Sequence, residues 1–87
     1  MLLAIDVGNT NIVVGVFEGP TLVESWRLAT DNRRSADEYG TILGSMYRRI
    51  DITEKDIDDI IIASVVPSLL FTLEHMCLKF YDRSPIV

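Results

Sequence analysis

Asp6, Gly8, Asn9, Thr10 and Asn11 stand together in the stretch "AIDVGNTNIVV", with apolar β-branched residues on either side. A carboxylate that ends an apolar strand and is followed at once by turn formers has two readings. Asp often accepts hydrogen bonds from N–H groups of its own turn, a structural role that needs no ligand. The functional reading draws on the neighbours. Gly8 lets a ligand come close to the backbone, Asn9 and Thr10 bring short polar side chains, and successive turn N–H groups can form a concave anion site. Asp6 adds a hard oxygen that can hold hydrated Mg2+, directly or through water, because this ion prefers carboxylate and phosphate oxygens and keeps several waters. Phosphate with its divalent ion is the natural occupant of such a turn.

The elements that must position this turn surround it. Residues 2–7 and 12–17 read as buried strands from their shortness and β-branched content. Residues 8–11 join them as a hairpin turn in which Gly and Asn tolerate positive φ. Glu18, Gly19 and Pro20 form a second turn, and 22–29 a third strand near a sheet edge, since both of its faces carry polar residues. Ser35-Ala36-Asp37-Glu38 matches a capping box and predicts a helix start. Tyr39, Ile42, Leu43, Met46 and Ile50 follow at helical spacing as one buried stripe, with Gly40 and Gly44 packed closely on the sheet.

After a polar stretch over 51–59, the run IIIASVV at 60–66 predicts a strand covered on both faces. Pro67 suits the first turn of a second helix. Its apolar stripe runs through Leu70, Leu73, Cys77 and Phe80, widened by Leu69, Met76 and Tyr81. Cys77 is then a small core residue rather than a nucleophile, and His75 a helix-surface residue rather than a ligand. Pro85-Ile86-Val87 has the look of a further strand beginning. The expectation is an α/β chain that forms the amino-terminal piece of a longer protein, three antiparallel strands followed by helix, strand and helix.

Composition narrows the classes. The 87 residues are 48% hydrophobic and 24% charged, which builds a core and not a disordered tail. A formal charge of −5 repels polyphosphate backbones, and the only basic pairs are Arg33-Arg34 and Arg48-Arg49, so nucleic acid is a poor partner. Arg48 and Arg49 read as a solvated helix end. One Cys and one His give no metal-binding cluster and no internal disulfide. No apolar run approaches the roughly 20 residues that span a bilayer. Together with the lack of a signal-like amino terminus, these features predict a soluble cytoplasmic protein with no membrane partner.

Asp6-Val7-Gly8-Asn9-Thr10-Asn11 in a strand–turn–strand resembles the first phosphate-binding motif of the actin, sugar kinase and Hsp70 superfamily. With "WRLATDNRRSADEYG" and "IIASVVPSL" following in order, the chain resembles the amino terminus of the type III pantothenate kinases, a group that also contains proteins named Bvg accessory factor. The resemblance covers essentially the whole chain. It implies a ribonuclease H-like, actin-like ATPase lobe, incomplete at its C-terminus. Residues 1–87 would then be part of the amino-terminal ATP-binding lobe of a two-lobe kinase.

It further implies that Gly8, Asn9, Thr10 and Asn11 contact the ATP phosphates, that Asp6 faces Mg2+, most simply through water, and that Val7, Ile12 and Val13 supply framework and main-chain groups. The reaction implied is phosphorylation of pantothenate by ATP, the first committed step toward coenzyme A, in a homodimer that uses K+ or NH4+. The family's general base lies in a Gly-x-Asp-Arg motif that this sequence lacks; Asp82-Arg83 has no Gly in the required place. The Asp that holds the monovalent cation is missing too, so the chain alone is expected to be inactive. The "SADE" and "SVVP" segments read chiefly as structural, although Ser64, at a strand's carboxyl end, could approach a ligand. Two alternatives stay open: a non-catalytic, nucleotide-binding regulatory or accessory protein on the same scaffold, and an interaction domain whose hairpin binds nothing.

Overall fold

Alternation along the strands decides the architecture. In a β-strand successive side chains point to opposite faces, and here one set is apolar and buried while the other is small, polar or exposed. The computed structural model describes residues 1–87. Strands β1 (Leu2–Val7), β2 (Asn11–Glu18) and β3 (Thr21–Ala29) form an antiparallel meander. Helix α1 (Ala36–Tyr47) follows, then strand β4 (Asp59–Ser64) and helix α2 (Pro67–Tyr81). The sheet has the order β3-β2-β1-β4, with β4 parallel to β1.

The fold is mixed α/β, with both helices on one face of a four-stranded sheet. Leu3, Ile5 and Val7 of β1, Ile12, Val14 and Val16 of β2, and Ile60 and Ile62 of β4 point into a single core. The helices close it with Tyr39, Leu43 and Tyr47 from α1 and Leu69, Leu73, Met76, Cys77 and Tyr81 from α2. The phenol oxygens of Tyr47 and Tyr81 hydrogen-bond to each other inside this core, and no buried side-chain polar atom lacks a partner. Strand β3 lies at the sheet edge, as its two polar faces predict.

Ser35 caps α1: its hydroxyl accepts from the Glu38 N–H, and the Glu38 carboxylate accepts from the Ser35 N–H. Five expectations change. Strand β4 alternates buried and exposed, so it is covered on one face only; its apolar run mimics a fully buried strand because Ile61 and Ala63 face outward without helix cover. The α1 stripe is rotated toward Tyr39, Leu43 and Tyr47, leaving Ile42, Met46 and Ile50 half-buried.

The α2 stripe likewise centres on Leu69, Leu73, Met76, Cys77 and Tyr81 instead of Leu70 and Phe80. Gly40 and Gly44 pack against other elements than the sheet: a Cβ on Gly40 would collide with the Phe80 ring of α2, and one on Gly44 would lie 3.0 Å from a Glu54 carboxylate oxygen. Finally, the polar stretch at 51–59 buries Ile52 and Ile57 around a short 3-10 turn, Glu54–Asp56.

Ile86 pairs with the outer edge of β4. Its N–H donates to the Ile60 carbonyl and its carbonyl accepts from the Ile62 N–H, both at 2.8 Å, in parallel sense. No helix is long and apolar enough to cross a membrane.

Candidate functional site

The β1–β2 turn projects from one end of the sheet, where β1 and β4 both finish. The Gly8 N–H donates to the Asn11 carbonyl at 2.9 Å and closes the turn. No residue from 8 to 11 has positive φ, so Gly8 is not there for backbone conformation. Space is the reason: a Cβ at Gly8 would stand 3.1 Å from the Asn11 carbonyl oxygen, tighter than most side chains tolerate. Two other segments border the turn. Thr30, just past β3, donates its N–H to the Thr10 carbonyl at 2.9 Å and its hydroxyl to the Gly8 carbonyl at 2.8 Å. The Val65 N–H, at the β4–α2 junction, donates to the Val7 carbonyl at 3.1 Å.

Asp6 sits opposite Val13 on β2 and Ala63 on β4, exposed on the sheet face that carries no helix. Its carboxylate takes part in none of the side-chain hydrogen bonds or ion pairs, so the turn does not satisfy it. The N–H groups of Asn9 and Thr10 also lack partners within the protein, and the side chains of Asn9, Thr10 and Asn11 are exposed. The turn and the strand end beside it thus hold one unpaired carboxylate and two unpaired, adjacent backbone donors. That arrangement can accept phosphate oxygens on the N–H groups and a hydrated divalent ion on the carboxylate.

Val7 and Ile12 are each 1% exposed, so their side chains belong to the core and only their main chains border the turn. Val13 is 37% exposed and lies beside Asp6. Beyond Asp6 the uncovered face continues as a shallow hollow of about 320 Å3 lined by Ala4, Val13, Gly15, Phe17 and Leu22. No group of three or more His, Cys, Asp or Glu side chains is placed to hold a metal. A divalent ion at Asp6 would thus draw its remaining ligands from phosphate and water, which suits Mg2+.

The other candidates are occupied by structure. The Ser64 hydroxyl accepts from the Val66 N–H and donates to the Val66 carbonyl, both at 3.0 Å, shaping the entry to α2. Asp31 is bound to the backbone and guanidinium of Arg33, which hold its carboxyl below the usual range. Asp37 pairs with Lys79 at 2.7 Å, and Glu38 belongs to the α1 cap. Asp82 takes φ 53° as the residue that ends α2. Burial pushes the Cys77 thiol up to about 12, so it is no nucleophile. His75 packs against Phe71 with ring centroids 4.6 Å apart and planes tilted by 42°, on the exposed side of α2.

Sequence reading missed Thr30, which lies 22 residues from Gly8 and reaches it only because β3 returns antiparallel beside β2. A polar residue directly after an alternating strand is the only signal it leaves.

Comparison with known proteins places the whole chain beside one family. The sequence profile of the family described as type III pantothenate kinase matches residues 2–87. The type III pantothenate kinase of Exiguobacterium sibiricum is 47% identical over 87 residues, all of this chain and 34% of that protein. That of Anaeromyxobacter dehalogenans is 48% identical over 86 residues, 99% of this chain and again 34% of the relative. The chain thus spans about a third of the length of these curated relatives. With the family profile matching residues 2–87 and relatives 47–48% identical across the chain, the chain belongs to the type III pantothenate kinase family.

Proposed function

We propose that residues 1–87 form part of the amino-terminal ATP-binding lobe of a two-lobe pantothenate kinase, built on a ribonuclease H-like sheet of the actin type. The whole protein transfers the ATP γ-phosphoryl group to the primary hydroxyl of pantothenate, giving 4'-phosphopantothenate, the first step of coenzyme A biosynthesis. The observation that carries this reading is the turn itself: Asp6 without a partner, beside the free N–H groups of Asn9 and Thr10.

In this reading the Asn9 and Thr10 N–H groups donate to phosphate oxygens, and the side chains of Asn9, Thr10 and Asn11 add further donors. Gly8 admits the phosphate chain because it has no side chain. Asp6 would hold Mg2+, and the ion, when bound, would supply charge neutralisation on the phosphate oxygens. Val7, Ile12 and Val13 fix the turn by their place in the sheet. Phosphoryl transfer depends mainly on positioning and charge stabilisation, and a rigid hairpin supplies the positioning. The general base belongs to a part of the protein beyond these residues, since no Gly-x-Asp-Arg occurs in them. In this reading the site for K+ or NH4+ lies there as well, and the whole protein acts as a homodimer in the cytoplasm.

The test is steady-state kinetics of the full-length kinase carrying Asp6→Ala, with Asp6→Asn as the isosteric control. Loss of an outer-sphere metal contact lowers kcat/KM for Mg2+-ATP by about 10- to 100-fold, with the melting temperature little changed because Asp6 is exposed. Unaltered kinetics in both variants would return Asp6 to a purely structural role. The 87 residues alone should phosphorylate no pantothenate above background.

A further inference from the structure

We infer that Thr30 is a positioning residue for the phosphate turn, acting through the two peptide groups it grips; this rests on the function proposed above. Thr30 is the one residue outside the β1–β2 hairpin that bonds to the turn twice, with its hydroxyl on the Gly8 carbonyl at 2.8 Å and its N–H on the Thr10 carbonyl at 2.9 Å. Both linkages go to carbonyl oxygens, and the consequence follows from peptide geometry. In a planar trans peptide the C=O and the next residue's N–H point in opposite directions, and no peptide in this chain is cis.

Turning the Gly8 carbonyl onto the Thr30 hydroxyl therefore turns the Asn9 N–H away from Thr30, toward the open side of the turn. Holding the Thr10 carbonyl does the same for the Asn11 N–H. The free Asn9 donor is the group that a phosphate needs, and without an anchor on Gly8 its peptide can rotate. A short turn with exposed residues at 9 to 11 has no other side-chain hydrogen bond to prevent this. Thr30 also joins the turn to the connector that leads into α1, because the adjacent Asp31 carbonyl accepts from the Tyr39 hydroxyl at 2.8 Å. The orientation of the Asn9 donor is thus tied to the buried face of α1.

Thr30→Val removes the hydroxyl, keeps the branched shape and retains the N–H bond to Thr10, while Thr30→Ser keeps both bonds. In the full-length kinase, losing one neutral hydrogen bond that orients the Asn9 donor raises KM for Mg2+-ATP by about fivefold. KM for pantothenate should stay unchanged, and Thr30→Ser should restore the wild-type value. If Thr30→Val does not fold, Thr30→Ala is read in the same way against Thr30→Ser. Wild-type ATP kinetics in Thr30→Val would overturn the inference. Equal losses for both substrates together with a lowered melting temperature would do so too, since that pattern is a structural defect. Impairment by Asp6→Ala with no effect of Thr30→Val would remove the inference alone; no effect of either would remove the proposed function with it.

Discussion

Ile61 and Ile62 are neighbours in one strand, yet Ile61 is 43% exposed and Ile62 only 1%. The same contrast runs across the whole sheet. One face carries Leu3, Ile5, Val7, Ile12, Val14, Val16, Ile60 and Ile62 beneath two helices, and the other carries Ala4, Asp6, Val13, Gly15 and Ala63 with no helix. Asp6 belongs to the second face. A carboxylate can stand in the middle strands of this sheet because its side is uncovered; on the other side the same residue would be buried without a partner, at a cost of several kcal/mol. The division of the faces is what leaves Asp6 exposed and unpaired.

The largest effect that tests this division is expected at Ile62. Ile62→Ala should lower unfolding free energy by about 2–5 kcal/mol in a urea titration, as large-to-small changes in packed cores do. A loss below about 1 kcal/mol would mean that the helix-covered face is not the core.

Alkaline pH probes the same interior. Burial holds Cys77 up to about 12 and raises Tyr47 and Tyr81 as well. In the unfolded chain these groups ionise near their ordinary values of 9.0 and 10.0, so the unfolded state sheds protons first. Stability should then be unaffected by these groups below about pH 8 and fall as pH rises from about 9 toward 12. A pH series of melting temperatures checks it, and a flat profile to pH 11 would contradict the burial of all three.

Tyr81→Phe leaves the Tyr47 hydroxyl buried without its partner, and should cost about 1–3 kcal/mol. Gly40→Ala forces Phe80 to shift and thereby costs about 1–3 kcal/mol of overpacking, partly offset by about 1 kcal/mol of helix propensity. Both are read by chemical denaturation, and a stabilised Gly40→Ala would show that Phe80 moves freely. The smallest effect belongs to Ile61→Ala, about 1 kcal/mol or less, since much of that side chain already meets solvent. Parity between Ile61→Ala and Ile62→Ala would erase the difference between the faces.

Much of the local structure is written in short stretches. The capping box at Ser35 and Glu38, the turn at Gly19 and the hairpin at 8–11 depend on residues within a few positions of one another, and each formed where those residues stand. The edge position of β3 followed from its two polar faces. Asp6 and the turn were also legible, because type and spacing alone mark a carboxylate followed by small polar residues. Gly8 lies in the turn, but without the positive φ expected of it; the nearness of the Asn11 carbonyl is what excludes a side chain there.

Other features had no local signal. The run at 60–66 is apolar on both sides, so only the placement of the two helices decides that Ile61 and Ala63 face outward. The helical stripes turned by a fraction of a turn because α1 and α2 pack on each other as well as on the sheet, with Gly40 receiving Phe80. Ile52 and Ile57, single apolar residues in a polar stretch, became core by closing its end. Thr30 reaches Gly8 across 22 residues through strand pairing. Sequence by itself determined which residues favour turns, caps and strands, since those preferences are backbone energies acting over a few residues. Tertiary structure alone decided which face is covered and which distant side chain grips the turn, because burial and hydrogen bonding depend on neighbours that chain order does not name.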